Sequence, residues 1–157
     1  MFVHNLNPVL LDLGPLEIRW YGLFYVLGFL FGIWYFRKYS NLDKDHIYDF
    51  FTYLILGGIL GGRLGYVVIY NFSYYLSNPL KIFYVWEGGM SFHGGLIGAI
   101  IACLIFARVY KVSFLYLGDM TVIPLSLGLF FGRIGNFING ELYGRVTNVP
   151  WCFDFGD

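Results

Sequence analysis

The chain has 157 residues, of which 58% are apolar, 22% are aromatic and only 13% are charged. A soluble domain carries about twice that charged fraction, so the composition is that of a membrane protein. Basic and acidic residues number 10 each, and the resulting net charge of zero excludes a general attraction to nucleic acid. The expected partner is the lipid bilayer.

The N-terminal segment lacks the pattern of a cleavable signal peptide, because no basic cluster precedes a short apolar stretch. The first strong apolar run begins only near Trp20. Residues 7–17 hold Pro8, Gly14 and Pro15 among valines and leucines. This composition suits an element at the membrane interface, and an ordinary loop fits it equally well.

Four stretches are long and apolar enough to cross a bilayer core of about 30 Å, which takes about 20 helical residues. They cover approximately residues 19–36, 50–70, 92–110 and 118–138. The sequence therefore predicts an all-α integral membrane protein with about four transmembrane helices plus interfacial or re-entrant segments. We expect residues 1–157 to form a single transmembrane domain.

The connection between the second and third spans, residues 71–90, is rich in Tyr, Phe and Trp and is broken by Pro79, Gly88 and Gly89. Amphipathic rings favour the headgroup layer, so we expect this segment to lie there.

Basic residues near the ends of the spans predict the orientation. Five lie on one side and three on the other: Arg37, Lys38, Lys44, Arg108 and Lys111, against Arg19, Lys81 and Arg145. This asymmetry places the N-terminus outside the cytoplasm. The 71–90 connection and the segment after Asn139 are then extracytoplasmic as well.

Glycines are concentrated in the second and third spans. Small residues let helix backbones approach closely in lipid, where no hydrophobic force drives apolar helices together. Close helix packing explains most of these glycines.

Two arginines interrupt apolar spans, Arg63 in Gly-Gly-Arg-Leu-Gly and Arg133 in Gly-Arg-Ile-Gly. Asp49 precedes Arg63 by 14 positions, as Asp119 precedes Arg133. In a helix this spacing is about 21 Å, which would place both guanidinium groups at similar depth. Together they could bind a phosphate diester through paired hydrogen bonds. Each could instead reach the outer headgroups or pair with a carboxylate.

A dense polar run follows, Gly-Arg-Ile-Gly-Asn-Phe-Ile-Asn-Gly-Glu-Leu-Tyr-Gly-Arg, at residues 132–145. Asn136, Asn139, Glu141 and Arg145 make it too polar for the end of a lipid-facing helix. These side chains must face protein, water or a lipid headgroup.

His93 stands at the start of the third span, in Ser-Phe-His-Gly-Gly. A neutral imidazole there could accept a proton near physiological pH, with the glycines leaving room for a substrate. A histidine at such a place could also be an interfacial hydrogen-bonding group. His4 and His46 lie in polar flanks, and no role is assigned to them.

No motif for a metal or a nucleotide cofactor is present in the sequence. No two histidines have metal-ligand spacing, and no Walker-type or dinucleotide-binding glycine pattern occurs in its required context. Cys103 and Cys152 belong to no CxxC pair. We expect both cysteines to be unpaired and no metal or cofactor to be needed.

Taken together, three elements of this sequence resemble the prolipoprotein diacylglyceryl transferase family. They are Ile-Arg-Trp-Tyr-Gly-Leu-Phe-Tyr at residues 18–25, His93-Gly94-Gly95, and the signature at residues 132–144, and they occur in the family's order. The signature is highly specific, and the resemblance covers essentially the whole chain.

The resemblance implies an enzyme of the bacterial inner membrane that performs the first step of lipoprotein maturation. Such a transferase moves the diacylglyceryl group of phosphatidylglycerol to the lipobox cysteine of a preprolipoprotein, forming a thioether and releasing glycerol phosphate. The reaction needs a group that removes the thiol proton, cations that stabilise the departing phosphate, and a lateral path for lipid.

The resemblance also implies roles for individual residues. The expected catalytic residues are His93, Arg133, Tyr21 and Glu141. The expected substrate-binding residues are Arg133, Asn136, Asn139, Gly144 and Arg63. Arg133 would hold the phosphate, with Arg63 as a second contact, and Glu141 would orient an arginine. His93 is the candidate proton acceptor, although a thiolate stabilised by arginine would make a histidine base unnecessary.

One departure from the family concerns length. Family members continue past the signature with further spans and another arginine, whereas this sequence stops at Asp157. We therefore expect a truncated sequence or one piece of a split gene.

The main alternative is a polytopic transporter or channel for a small anion, lined by Arg63, Arg133 and Glu141. A transporter places its polar groups in both halves of the bilayer around a midplane site, whereas here they cluster toward one side. A structural subunit without activity fits the short chain but leaves the polar signature unexplained.

Overall fold

The computed structural model describes residues 1–156. Within them the chain forms five α-helices and four short strands, with two 3-10 turns between α3 and α4. In chain order the elements are β1 (Phe2–Val3), β2 (Val9–Asp12), β3 (Glu17–Arg19), α1 (Trp20–Tyr39), α2 (Lys44–Ile69), α3 (Phe72–Ser77), the turns Pro79–Phe83 and Val85–Glu87, α4 (Phe92–Val109), α5 (Phe114–Asn139) and β4 (Phe153–Asp154).

Among the residues described, three helices are long and apolar enough to cross a membrane: α2, α4 and α5. The first predicted span also forms a helix, the 20-residue α1. The all-α integral membrane class is confirmed, and four spans is an approximate count.

The helix ends follow local sequence signals. Arg37 and Lys38 lie in the last turn of α1, where positive charge complements the helix dipole. Asp45 lies in the first turn of α2, after the extended residue Asp43. Ser91 is the N-cap of α4, and its hydroxyl accepts a hydrogen bond from the Gly94 amide at 3.2 Å.

The chain divides into two compact units, one of Met1–Tyr35 with Thr121–Asp157 and the other of Phe36–Met120. The second unit contains most of the buried side chains. Phe50 lies at its centre, with ring centroids 5.3 Å from Phe36 and 5.1 Å from Phe106. These three side chains are fully buried, as are Ile47 and Leu117.

Glycines bring α2 and α4 into direct backbone contact. A Cβ atom added at Gly57 would lie 2.5 Å from the Gly98 carbonyl oxygen, and one at Gly65 would lie 3.1 Å from the Gly94 Cα. The first contact is shorter than real Cβ atoms show, and the second would require its neighbour to shift by a few tenths of an ångström, so close packing as an explanation of these glycines is confirmed. Gly58, by contrast, faces open space.

The first unit contains all the strands. β2 and β3 form an antiparallel hairpin with an irregularity between Val9 and Leu11, and Gly14 in its turn has a φ of +82°. Residues 7–17 therefore contribute β2, the turn and the start of β3 to an ordered hairpin, and their location at the membrane interface stays a prediction. β1 pairs in parallel with β4, so the N-terminus lies against the segment that follows α5.

The two cysteines and the 71–90 connection were also the subject of predictions. Cys103 and Cys152 are both free, as predicted. Residues 71–90 form the short helix α3 and the two 3-10 turns, and expose large apolar side chains that include Leu80, Phe83 and Trp86. Their location in the headgroup layer stays a prediction.

Candidate functional site

The signature lies where α5 ends and turns. Gly140 has a φ of +69°, a left-handed conformation that glycine adopts without strain. Its amide donates to the Phe137 carbonyl at 3.1 Å, and the Glu141 amide donates to the Asn136 carbonyl at 2.8 Å. This pair of bonds is a Schellman motif, which satisfies carbonyls that the last helical turn leaves free. The turn therefore has a defined backbone conformation, which positions the signature side chains.

Arg133 lies two turns before the end of α5 and is exposed. Within residues 1–156 its guanidinium has no hydrogen-bond or ion-pair partner. Asn136, one turn further along, is half-buried. The arrangement offers an unused cation beside amide groups near one end of a membrane helix.

Asn139, the last residue of α5, is also half-buried, but its side-chain oxygen is shielded from solvent. No described residue donates a hydrogen bond to that oxygen. A buried acceptor without a donor is uncommon in folded proteins and calls for an explanation.

Tyr21 lies against the signature within the first unit. An atom of its ring would be 2.6 Å from a Cβ at Gly135, so only glycine admits the ring there. Its hydroxyl is 3.1 Å from that of Tyr25, and the Glu141 carboxylate is close enough to interact electrostatically with the phenol. The structure thus places Tyr21 against Gly135 of the signature, although the two residues lie far apart in sequence.

His4 was given no role from sequence, yet it contacts the signature turn. Its Nε2 atom is 2.5 Å from the Phe137 carbonyl, and because a carbonyl only accepts, the ring nitrogen is the donor. The ring also packs on Phe155 at a centroid distance of 4.8 Å. The sequence gives no signal for this contact, because the pairing of β1 with β4 joins opposite ends of the chain.

His93 occupies the first turn of α4 in the second unit and is exposed. Within the described chain its ring contacts Phe92, at a centroid distance of 5.6 Å, and its nitrogens make no hydrogen bond. The imidazole is thus available to an external proton donor.

Arg63 has a different environment from Arg133. Its side chain is buried, with 3% of its surface exposed, and it donates four hydrogen bonds to backbone carbonyls of the 71–90 connection. Within residues 1–156 the guanidinium pairs with no carboxylate, which was one of the alternatives considered from sequence. Because its donors are engaged within the protein, we do not include Arg63 among the proposed phosphate ligands.

Gly144 ends the signature, and Lys81 lies on the 71–90 connection. Gly144 is exposed, and a Cβ atom there would meet nothing within 4 Å, so packing in the described chain does not require glycine. On the 71–90 connection, the ammonium of Lys81 donates to the Tyr74 hydroxyl at 2.9 Å, and this bond raises the pKa of Lys81.

These observations define an α-helical integral membrane protein with a polar, partly unsatisfied signature at the end of one span. A model of the family described as prolipoprotein diacylglyceryl transferase matches residues 8–157. The chain belongs to the prolipoprotein diacylglyceryl transferase family.

Individual relatives agree with this assignment. The chain is 53% identical over 156 residues to a protein of Geobacter sulfurreducens, covering 96% of this chain and 60% of the relative. It is 52% identical over 156 residues to one of Rickettsia rickettsii, with the same coverage of 96% and 60%. It is 50% identical over 155 residues to one of Pseudoalteromonas translucida, covering 96% and 58%.

All three relatives are named phosphatidylglycerol–prolipoprotein diacylglyceryl transferase. The chain spans about 60% of the length of the curated relatives it matches.

Proposed function

We propose that this protein transfers the diacylglyceryl group of phosphatidylglycerol to the lipobox cysteine of a preprolipoprotein. Membership of the family and the names of the relatives support this assignment. The structural observation that carries it is Arg133, an exposed guanidinium within the signature that has no partner in the described chain. An unused, forked cation at the end of a membrane helix suits the phosphate of a lipid headgroup.

Arg133 binds the phosphate diester in this proposal, and the signature amides bind the rest of the headgroup. Phosphatidylglycerol differs from other phospholipids in carrying glycerol hydroxyls, which donate hydrogen bonds. The buried side-chain oxygen of Asn139 lacks a donor among the described residues, and it is the proposed acceptor for such a hydroxyl. Asn136 and Gly144 belong to the same signature and are proposed to contact the headgroup. Gly144 has no side chain, so the headgroup can approach the backbone there.

The proposed chemistry is a nucleophilic substitution at the glyceryl carbon bonded to the phosphate oxygen. The cysteine sulfur forms a carbon–sulfur bond as the carbon–oxygen bond breaks, and glycerol phosphate leaves with the bonding electrons. The thiol proton passes to a base, for which His93 is the candidate because its ring nitrogens are unengaged. Arg133 stabilises the negative charge that develops on the departing phosphate.

Tyr21 and Glu141 are proposed to shape the phosphate site. The Glu141 carboxylate is exposed and forms no ion pair within residues 1–156, so it is free to orient an arginine when lipid binds. Tyr21 closes one side of the signature with its ring against Gly135.

The proposed location is the bacterial inner membrane, with the N-terminus and the signature on the extracytoplasmic side. The excess of lysine and arginine in the connections after α1 and α4 supports this orientation. Exported preprolipoproteins would meet the enzyme on that side.

The test is transfer of labelled lipid from phosphatidylglycerol to a lipobox peptide by this chain in bilayers. We expect Arg133→Ala to abolish transfer, because the phosphate loses its cation. Arg108→Ala is the matched control, since Arg108 is also exposed and partner-free but lies in the last turn of α4. That control should retain full activity.

Three results would contradict the proposal for this chain. One is equal transfer by the Arg133→Ala variant, and another is loss of transfer in the Arg108→Ala control. The third is a complete absence of transfer by the unaltered chain, and anion flux across the same bilayers would then favour the transporter.

A further inference from the structure

The four hydrogen bonds of Arg63 all go to one segment. The Nε atom donates to the Ile82 carbonyl at 2.9 Å, and Nη2 donates to the Lys81 carbonyl at 2.8 Å. Nη1 donates to Gly88 at 2.6 Å and to Gly89 at 3.2 Å. One side chain of α2 thus joins both parts of the connection, the turn at Pro79–Phe83 and the glycine pair before α4.

These bonds occupy four of the five N–H groups of a guanidinium. The charge is further stabilised by the faces of two tyrosine rings, Tyr75 at 5.2 Å and Tyr66 at 6.0 Å from the Cζ atom. A lipid phosphate could use the group only by displacing contacts that are already made. The environment is that of a structural cross-link and not of an anion site.

The backbone of the connection is shaped to fit this cross-link. Gly88 and Gly89 have φ angles of +82° and +90°, a region that other residues rarely adopt, and their carbonyls both point to Arg63. A Cβ atom at Gly89 would lie 2.5 Å from the Tyr66 ring. The glycines therefore have two roles. They turn the chain, and Gly89 leaves room for the Tyr66 ring that lies beside the guanidinium.

The connection passes directly into the start of α4. The Ser91 amide donates to the carbonyl of Gly62, the neighbour of Arg63, at 2.9 Å. Ser91 in turn caps α4 through the Gly94 amide. His93 lies in this first helical turn, so its backbone position depends on the point at which the connection is attached to α2.

We propose that Arg63 is a positioning residue, whose buried guanidinium fastens the 71–90 connection to α2 and thereby fixes the first turn of α4 that carries His93. The part that concerns transfer rests on the proposed function, because it takes His93 as the proton acceptor. The part that concerns the connection does not depend on any activity.

Amide hydrogen exchange of the full chain in lipid nanodiscs tests the proposal directly. Arg63→Lys keeps the charge but cannot reach carbonyls on two sides, so exchange in residues 80–93 should rise by about tenfold or more. The amides of residues 50–57, in the half of α2 distant from the connection, should be unchanged. Arg108→Lys serves as the matched control and should leave both regions as they are.

Gly89→Ala provides a second variant that leaves the arginine in place. It displaces the Tyr66 ring and strains the backbone, so it should raise exchange in the same residues. This variant also keeps the proposal testable if Arg63→Lys does not fold. Unchanged exchange in residues 80–93 in either folded variant would overturn the proposal, as would an equal rise throughout α2 and α4.

Steady-state transfer distinguishes positioning from phosphate binding. A positioning role predicts that Arg63→Lys lowers kcat and leaves the KM for phosphatidylglycerol unchanged, whereas a lost phosphate contact would raise that KM. A raised KM with normal exchange would overturn the proposal. If the unaltered chain shows no transfer, the proposed function is contradicted, and the exchange data alone decide the role of Arg63.

Discussion

Substituting Gly57 by alanine should destabilise the pair of helices α2 and α4, whereas the same change at its neighbour Gly58 should not. A Cβ atom at Gly57 would lie 2.5 Å from the Gly98 carbonyl oxygen and 2.7 Å from the Ala102 Cβ. Ordinary contacts between such atoms are about 3.5 Å, so the backbones would have to separate by about 1 Å. At Gly58 no atom of residues 1–156 lies within 4 Å of the added methyl group.

The size of the effect follows from two opposing contributions. Overpacking costs about 1–3 kcal/mol, and here the obstacle is backbone, which cannot rotate away. Replacing glycine by alanine inside a helix recovers about 1 kcal/mol. The expected net change for Gly57→Ala is a loss of about 1–2 kcal/mol. For Gly58→Ala we expect a gain in stability of up to about 1 kcal/mol, because the higher helix propensity of alanine is then the only contribution.

Reversible unfolding in mixed micelles, followed by helical circular dichroism, measures both differences. The double variant Gly57→Ala with Ala102→Gly supplies an internal check, because it removes one of the two clashes and should lose less stability than the sum of the losses of the two single variants. Equal destabilisation by Gly57→Ala and Gly58→Ala would refute the reasoning. So would a stability of Gly57→Ala at or above that of the unaltered chain.

Three further predictions concern single contacts. Ser91→Ala should cost about 1 kcal/mol of unfolding free energy by removing the cap of α4, with Ser91→Thr as the conservative control. His4→Phe keeps the ring but removes the donor to Phe137, and should cost about 1 kcal/mol while speeding exchange of the Phe2 and His4 amides. A membrane-impermeant maleimide added outside right-side-out vesicles should label Cys152, which is half-buried, and spare Cys103, which is buried; labelling of Cys152 only from the cytoplasmic side would reverse the proposed orientation.

The sequence predicts where the apolar helices lie but not how far they extend. The second span was expected at residues 50–70, and α2 begins earlier, at Lys44. Hydropathy detects the part of a helix that crosses lipid, whereas its polar end is held by contacts such as the bond from Tyr110 to Asp49 at 2.7 Å. The glycine contacts between α2 and α4 were predictable, because small residues in apolar membrane helices are typical of positions where helix backbones approach closely.

The sequence is less informative about the candidate site. The signature could be found by its density of polar groups, and its proposed roles remain predictions. The contact of His4 with Phe137 and the bonds of Arg63 could not be foreseen, because their acceptors are backbone carbonyls. Every residue has a carbonyl, so nothing in the sequence marks the one that a distant side chain will use.

Arg63 and Arg133 show how the same residue in similar sequence can acquire opposite properties. Each follows an aspartate by 14 positions on one continuous helix, and each has glycine neighbours. The difference arises in the backbone that comes after each helix. After α2, the positive-φ glycines Gly88 and Gly89 turn their carbonyls back toward Arg63.

After α5, by contrast, the carbonyls of Asn136 and Phe137 already accept bonds from Glu141 and Gly140 within the Schellman turn. No carbonyl of that turn accepts a hydrogen bond from Arg133, and the guanidinium remains available. A phosphate at Arg63 would have to replace four charge-assisted hydrogen bonds, each of which contributes about 1.5–3 kcal/mol, whereas a phosphate at Arg133 would replace no hydrogen bond made by the described residues. This difference in cost is the physical reason for assigning phosphate binding to Arg133 and positioning to Arg63.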